Sequence, residues 1–141
     1  MAMAQEDAVE SNVALMRELF DRLSEGDVDA ALARMREDFV INLAGLPQQL
    51  HGRDVWRQGM QVMQDAFPDL KVEVLEMFGA GDRVAVRAVL SGRHDGDFQG
   101  VPATGRQVAY TSHEFYRIES GMVAEEWICS DMMSLMQQIA P

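Results

Sequence analysis

The chain has 141 residues, 12 of them Lys or Arg and 23 of them Asp or Glu, so its formal net charge is −11. Because nucleic acids and anionic membranes attract basic surfaces, this charge argues against both as partners. Hydrophobic residues make up 48% of the sequence, which excludes a disordered chain and predicts one packed domain over residues 1–141.

The N-terminal part of the chain has the periodicity of a helix. Apolar residues of a first helix recur at three- and four-residue steps, at Val9, Val13, Met16, Phe20 and Leu23. Gly26 can end this helix, and Asp27 can cap a short second one. Residues 38–43 then predict a short strand, and residues 52–67 predict a third helix that Pro68 ends.

The second half of the chain changes to strand patterns. The predicted strands are 71–77, 83–92, 107–118 and 122–130, with a hairpin turn at Glu119-Ser120-Gly121. The tail from Asp131 predicts a short helix with Leu135 and Ile139 inward. Helices followed by strands favour an α+β fold, with a curved antiparallel sheet packed on three N-terminal helices. Such a cone leaves room for a small ligand at its mouth.

Three runs, residues 89–108, 113–127 and 131–139, resemble the SnoaL-like polyketide cyclases of the nuclear-transport-factor-2-like superfamily. The resemblance covers nearly the whole chain. It implies a cone-shaped, cystatin-like fold, a homodimer, and a pocket that needs neither cofactor nor metal. Family enzymes close polyketide rings by an aldol step, whereas relatives hydrolyse epoxides or isomerise ketosteroids.

The chain departs from that resemblance at the catalytic positions. The cyclases and epoxide hydrolases carry an aspartate where this chain has Ile128, and the cyclase histidine falls at Glu114. Ketosteroid isomerases place their base at the position of Asn42. Since isoleucine moves no proton and asparagine is no useful base, the standard mechanisms do not transfer unchanged.

Strand geometry offers another acid–base pair. The three-residue turn would place Glu114 opposite Glu126 and Ser112 opposite Ile128, all on the face that also carries the family's catalytic positions. Two close carboxylates in a pocket cannot both ionise easily, so one pKa should rise and supply a general acid or base. Alternatively, one glutamate reaches solvent or pairs with Arg87.

Other candidates are weaker. Asp131 is a catalytic candidate whose alternative role is to cap the last helix. His113 is a second catalytic candidate, although its strand position favours the outer face, and His94 lies near the glycine-rich loop. The three scattered histidines do not form a metal site.

A set of apolar and polar residues is predicted to line the cavity or to donate hydrogen bonds to a carbonyl. It comprises Phe20, Asn42, Trp56, Gly59, Met60, Tyr110, Tyr116 and Ile128. Phe20 and Gly59 match family positions that contact the polyketide. A mid-helix glycine costs about 1 kcal/mol relative to alanine, which indicates close packing at Gly59. Phe115, Val123 and Trp127 predict an outer surface that a second subunit covers.

Two classes of function remain. The first is a cofactor-independent cyclase, isomerase or hydrolase acting on an apolar small molecule. The second is a binding module that has lost the family's catalytic aspartate.

No stretch approaches the roughly 20 apolar residues that span a bilayer, the acidic N-terminus does not resemble a secretion signal, and one cysteine forms no internal disulfide. We therefore expect a cytoplasmic protein.

Overall fold

The computed structural model describes residues 2–141. Its helices are α1 (Ala2–Ser24), α2 (Val28–Leu32), α3 (Arg53–Ala66) and α4 (Met132–Ile139). Its strands are β1 (Met35–Leu43), β2 (Leu50–His51), β3 (Lys71–Ala80), β4 (Arg83–Arg93), β5 (Gln107–Glu119) and β6 (Met122–Ser130). Each predicted element is present, and the two-residue strand β2 is one that the sequence pattern did not indicate.

The six strands form one sheet in the order β2-β1-β6-β5-β4-β3. The α+β fold, with a curved sheet and N-terminal helices, is confirmed. The four long strands β3 to β6 are antiparallel as expected, whereas β1 joins the sheet parallel to β6. A parallel pair needs a long crossover, and the chain between these strands supplies one through α3 and four intervening strands.

Aspartates begin two of the helices as N-caps. The Asp27 carboxylate accepts a hydrogen bond from the backbone N–H of Ala30 at 3.0 Å, and Gly26 before it has a φ of 79°. Asp131 accepts from the backbone N–H of Ser134 at 3.0 Å at the start of α4. Each cap satisfies an N–H that has no partner within the helix, so these short helices begin at fixed points.

The β5–β6 hairpin turns in two residues rather than three. Ser120 and Gly121 have φ values of 52° and 74°, and Glu119 pairs directly with Met122 on either side of them. A two-residue hairpin turn with positive φ at both central positions follows the right-handed twist of the strands. The predicted turn was therefore one residue too long.

A β-bulge follows the turn. Ile118 lies opposite Val123, but Arg117 lies opposite Glu125, so Ala124 has no partner of its own. The shorter turn and the bulge together shift the expected pairing by two residues. Because side chains alternate with a period of two, that total shift returns β6 to the predicted faces beyond the bulge. Between the turn and the bulge, the residues of β6 lie on the face opposite to the predicted one. Val123, which was expected on the outer face, is therefore buried.

The face of the sheet that packs on the helices, here called the inner face, carries two hydrophobic clusters. The first joins the N-terminal helices to the sheet and includes Met16, Phe39, Val84, Tyr116 and Val123. The second joins the end of α3 and α4 to β5, and includes Phe67, Val108, Tyr110, Leu135 and Ile139. Leu135 and Ile139 are fully buried as predicted. Over residues 2–141, no helix has both the length and the apolar content needed to cross a membrane.

Candidate active site

A short polar stretch of β5 separates the two clusters on the inner face. Along this strand Tyr110 belongs to the second cluster and Tyr116 to the first. Ser112 and Glu114 lie between them, and both are buried. Polar side chains at the junction of two apolar cores are costly unless they are hydrogen-bonded or functional, so this stretch is the candidate site.

Glu114 and Glu126, here called the glutamate pair, are both buried on this inner face. Glu114 is 8% exposed and Glu126 is 4% exposed. The prediction that the two glutamates lie directly opposite each other is wrong, because Glu114 lies opposite Ile128 and Glu126 lies opposite Tyr116. The two glutamates are instead diagonal neighbours on adjacent strands, with Cα atoms at a typical separation of about 7–8 Å. The two-residue register shift keeps them on one face, within reach of each other.

The hydrogen bonds of the two glutamates differ. The Tyr116 hydroxyl donates to Oε1 of Glu114, and Ser112 lies two residues before Glu114 on the same face of β5. No group of residues 2–141 hydrogen-bonds to the Glu126 carboxyl. Arg87 does not pair with either glutamate, since its Nε donates to Oε1 of Glu76 at 2.7 Å on the outer face. The alternative in which Arg87 neutralises the pair is therefore wrong.

Burial raises both carboxyl pKa values. For Glu114 the desolvation of the carboxylate raises the pKa, while the hydrogen bond from Tyr116 opposes that rise. For Glu126, burial and then the negative charge of Glu114 raise the pKa to about 8. The two carboxyl groups therefore titrate as a pair, and burial favours protonation of the pair relative to exposed glutamates.

The two tyrosines next to the pair have different roles. Burial and the charge of Glu114 raise the pKa of Tyr116 and of Tyr110 above the usual value of a phenol, so both stay protonated. The proton of Tyr116 is already donated to Glu114. The Tyr110 hydroxyl, which is buried, makes no hydrogen bond to another described residue.

Three of the predicted polar residues lie elsewhere. Asp131 is exposed and caps α4, which is the role weighed against catalysis. His113 is exposed on the outer face, because it precedes Glu114 on a strand whose side chains alternate. The Asn42 side chain is held by Glu125 and by the backbone oxygen of Glu126, at 3.0 and 2.8 Å. The structure does not bring these three residues to the glutamate pair.

Some of the apolar residues that were predicted to line the cavity pack near the glutamate pair or the first cluster, and others do not. The Phe20 ring packs edge-on against Tyr116, with centroids 6.1 Å apart. Ile128 and Trp56 are half-buried against the first cluster, and Met60 is half-buried on α3. The expectation of close packing at Gly59 is wrong, since Gly59 is exposed and a Cβ there would meet nothing within 4 Å.

Two grooves run beside α1, and neither includes a glutamate of the pair. One lies between α1 and Arg34 and reaches Gly121, and the other lies between α1 and the β3–β4 turn. Because both glutamates are less than a tenth exposed, they lie beneath neighbouring side chains and not at an open surface.

Sequence reasoning did not single out the roles of Ser112 and Ser130, and it did not foresee the environment of His94. The serines lie opposite each other, with their Oγ atoms 3.0 Å apart. His94 is fully buried, its Nδ1 accepts from the backbone N–H of Thr104, and its buried Nε2 has no partner among residues 2–141. Alternation already placed Ser112 on the inner face, which was the available signal for that residue.

The outer face of the sheet is apolar at its centre. Phe78, Ala85, Phe115 and Trp127 follow one another across β3, β4, β5 and β6 in a single row. Phe115 is 55% exposed and Phe78 is 62% exposed. The guanidinium of Arg83 lies 4.9 Å from the centre of the Trp127 ring. Within residues 2–141, no group of three or more acidic, His or Cys side chains could hold a metal ion.

Comparison with known proteins covers almost the whole chain. A family model described as SnoaL-like polyketide cyclase matches residues 13–139. A proposed SnoaL-like polyketide cyclase from Jannaschia sp. CCS1 is 29% identical, with a TM-score of 0.87 and 94% of each chain covered.

Two Streptomyces structures are also similar. IdmH, a proposed polyketide cyclase from Streptomyces antibioticus, is 30% identical, with a TM-score of 0.78 over 92% of this chain and 99% of IdmH. AclR, a proposed hydroxylase from Streptomyces galilaeus, is 27% identical, with a TM-score of 0.84 over 93% of this chain and 96% of AclR. No curated protein sequence matches the chain.

Proposed function

Since the chain belongs to the SnoaL-like polyketide cyclase family, we propose that it is an enzyme that uses acid–base catalysis on an apolar carbonyl compound without a cofactor. The observation that carries this proposal is the glutamate pair, in which two carboxyl groups are buried on one face of the sheet and burial raises the pKa of both. A base and an acid with different protonation states at one pH are what proton abstraction next to a carbonyl requires.

In the proposed mechanism Glu114 is the base. Its carboxylate removes a proton from the carbon next to the substrate carbonyl, and the electron pair of that C–H bond moves to the carbonyl oxygen. Protonated Glu126 and the free Tyr110 hydroxyl donate hydrogen bonds to this oxygen as negative charge develops on it. In a ring closure, the enolate carbon would then attack a second carbonyl of the same molecule, and the new alkoxide would take the proton from Glu114.

The surroundings of the pair define the substrate class. Phe20, Tyr116 and Ile128 provide apolar contacts, and none of the ion pairs of the described chain involves either glutamate. A substrate with its own negative charge would meet the uncompensated charge of Glu114 in a poorly solvated site. We therefore expect a neutral, largely apolar ketone or polyketide.

The test measures proton abstraction directly. In deuterated buffer, the wild-type protein should accelerate deuterium incorporation at the carbon next to the carbonyl of α-tetralone, a bicyclic aryl ketone, followed by proton NMR. Glu114→Gln should reduce the acceleration by about 100-fold or more, the usual contribution of a positioned base. Glu73→Gln, on the exposed side of β3, is the matched control. Equal rates in Glu114→Gln and Glu73→Gln would overturn the assignment of the base.

Ile128 favours a second candidate function, a binding module without catalysis. It lies directly opposite Glu114, at the position where the family resemblance expects an aspartate. A binding module would take up α-tetralone, detected as quenching of tryptophan fluorescence, yet would not exchange its protons. Saturable quenching together with the uncatalysed exchange rate would favour this candidate over the enzyme.

We propose further that two copies of the chain associate through the apolar row on the outer face. Exposed Phe78 and Phe115 beside Trp127 form a contiguous apolar surface of the kind that subunit interfaces cover. Phe115→Glu should convert a dimer to a monomer in sedimentation velocity, because it would bury a charge in the interface. Val62→Glu, at an equally exposed position on α3, should leave the dimer intact. A wild-type monomer at micromolar concentration would exclude the interface.

A further inference from the structure

Tyr116 is next to both members of the glutamate pair. It follows Glu114 by two residues on the same face of β5, and it lies directly opposite Glu126 on β6. A phenol hydroxyl has one proton to donate, and Tyr116 donates it to Oε1 of Glu114. Within residues 2–141 no group hydrogen-bonds to the Glu126 carboxyl. Tyr116 therefore serves only one of the two acids beside it.

The ring of Tyr116 is held within the first cluster. The Phe20 ring of α1 packs against it edge-on, with an angle of 84° between the rings and 6.1 Å between their centroids. The partner of Tyr116 on β4 is Val84, which is fully buried. Because side chains in a close-packed core sit in single rotamers, the hydroxyl has a fixed position. A carboxylate that accepts a hydrogen bond from a fixed donor is itself held in one orientation.

The same hydrogen bond makes the two carboxyl groups unequal. A hydrogen bond to an ionised carboxylate is about twice as strong as one between neutral groups, so the Tyr116 hydroxyl favours the ionised form of Glu114. Glu126 is buried on the same face and receives no such bond. Loss of the Tyr116 hydroxyl would remove this difference between the two acids.

No cation takes the place of this hydrogen bond at Glu114. The strand partners of Glu114 are Val86 on β4 and Ile128 on β6, and α1 contributes the Phe20 ring. Neither glutamate of the pair belongs to an ion pair within the described chain. The groups beside Glu114 that can titrate are all acids, namely Glu126, Tyr110 and Tyr116.

We infer that Tyr116 is a positioning residue, whose hydroxyl holds the Glu114 carboxylate ionised and in one orientation and so makes Glu114 the base of the pair. The inference rests on the proposed function for its catalytic meaning. It replaces the role predicted from the sequence, in which Tyr116 donates to a carbonyl of the substrate, because its proton is already donated to Glu114. Tyr110 is then the tyrosine that remains for the substrate.

The first test is a pH titration of the two carboxyl groups by NMR. The protein is labelled with ¹³C at the glutamate side-chain carboxyl carbons, and the two signals are assigned from the spectra of Glu114→Gln and Glu126→Gln. In the wild type, Glu114 should ionise at a lower pH than Glu126. Tyr116→Phe should raise the midpoint of Glu114 by about one pH unit, because it removes a hydrogen bond to the carboxylate. Tyr110→Phe removes the other buried phenol hydroxyl of β5 and should leave that midpoint unchanged.

A stronger donor should have the opposite effect. The chain has two tyrosines, so 3-fluorotyrosine incorporated into the Tyr110→Phe variant replaces Tyr116 alone. Fluorine makes the phenol more acidic and a stronger hydrogen-bond donor, while the ring keeps its place in the first cluster. The midpoint of Glu114 should then fall below that of unlabelled Tyr110→Phe. This protein decides the question if Tyr116→Phe does not fold.

The second test uses the exchange assay with α-tetralone. Tyr116→Phe should lower kcat and change KM little, because Tyr116 contacts Glu114 and not the ligand. The acidic limb of the pH–rate profile, which reports ionisation of the base, should move to higher pH together with the Glu114 midpoint. A role in packing alone would lower the rate without moving this limb.

An unchanged Glu114 midpoint in Tyr116→Phe, or in the fluorotyrosine protein where that variant does not fold, would overturn the inference. The titration needs no substrate, so its outcome is independent of the proposed activity. Shifted midpoints in a protein that exchanges no protons would support the role of Tyr116 at the pair and reject the enzyme. Normal exchange in Tyr116→Phe with an unchanged midpoint would reject the role of Tyr116 and leave the enzyme.

Discussion

Glu125 and Glu126 are consecutive residues of β6 with opposite surroundings. Glu125 faces outward, where it accepts hydrogen bonds from Arg117 at 3.3 Å and from Asn42 at 3.0 Å. Glu126 faces inward, where it is buried beside Glu114 and has no hydrogen-bond partner in the described chain. The outer carboxylate is compensated by a cation and an amide, and the inner one is not.

This difference shows how one strand can carry two acids in opposite surroundings. Alternation sends neighbouring side chains to opposite faces, so no separate loop is needed to bury the second carboxyl group. The outer face holds the Glu125 carboxylate in a partly exposed network with Arg117 and Asn42. The inner face instead removes water, and that removal raises the pKa of Glu126 to about 8. The contrast can be tested by adding, removing and exchanging charge on the two faces.

The largest effect is expected from a third acid on the inner face. Ile128→Asp would place a carboxylate directly opposite Glu114 and would remove apolar contacts with the first cluster. We expect the free energy of unfolding at pH 8 to fall by about 3 kcal/mol, from lost packing and from an unpaired buried charge. Cys129→Asp, the next residue and exposed, should cost far less. Urea unfolding of both variants measures this, and equal losses would contradict the difference between the faces.

A smaller effect is expected in the pH dependence of stability. Because the pKa of Glu126 is raised in the folded state, the folded protein binds more protons than the unfolded chain between about pH 4.5 and 8. The stability of the wild type relative to Glu126→Gln should therefore decrease as pH rises through this window, by up to about 1.4 kcal/mol per pH unit. Urea unfolding at pH 5 and pH 8 gives the comparison. Parallel stability profiles for the two proteins would show that Glu126 is not the protonated group.

The smallest effect is expected on the outer face. Glu125→Gln would remove the charge that Arg117 contacts while keeping the shape of the side chain, and we expect a loss of about 1 kcal/mol or less. The loss should diminish in high salt, because the Arg117 side chain is partly exposed and its charge is screened. Thermal unfolding in low and high salt measures both. A loss as large as that of Ile128→Asp would mean that this ion pair is as isolated from water as the glutamate pair.

Local patterns in the sequence were sufficient for much of the fold. Helical periodicity identified α1 and α3, and alternation identified the long strands, because each pattern depends only on residues close in the chain. Alternation also assigned Glu114 to the inner face of β5. The order of helices and then strands led to the α+β fold that the structure has, and the family resemblance of residues 89–108, 113–127 and 131–139 led to the same fold.

What the sequence determined by itself was which residues of a regular strand share a face, since outside the bulge of β6 that depends on the backbone geometry of a single strand. What only the tertiary structure decided was which residues meet across strands. The two-residue turn at Ser120 and Gly121 and the bulge at Ala124 changed the partner of Glu114 from Glu126 to Ile128. Turn length and bulges arise from how two strands twist against each other, so the chemistry of the glutamate pair depends on contacts that no single segment specifies.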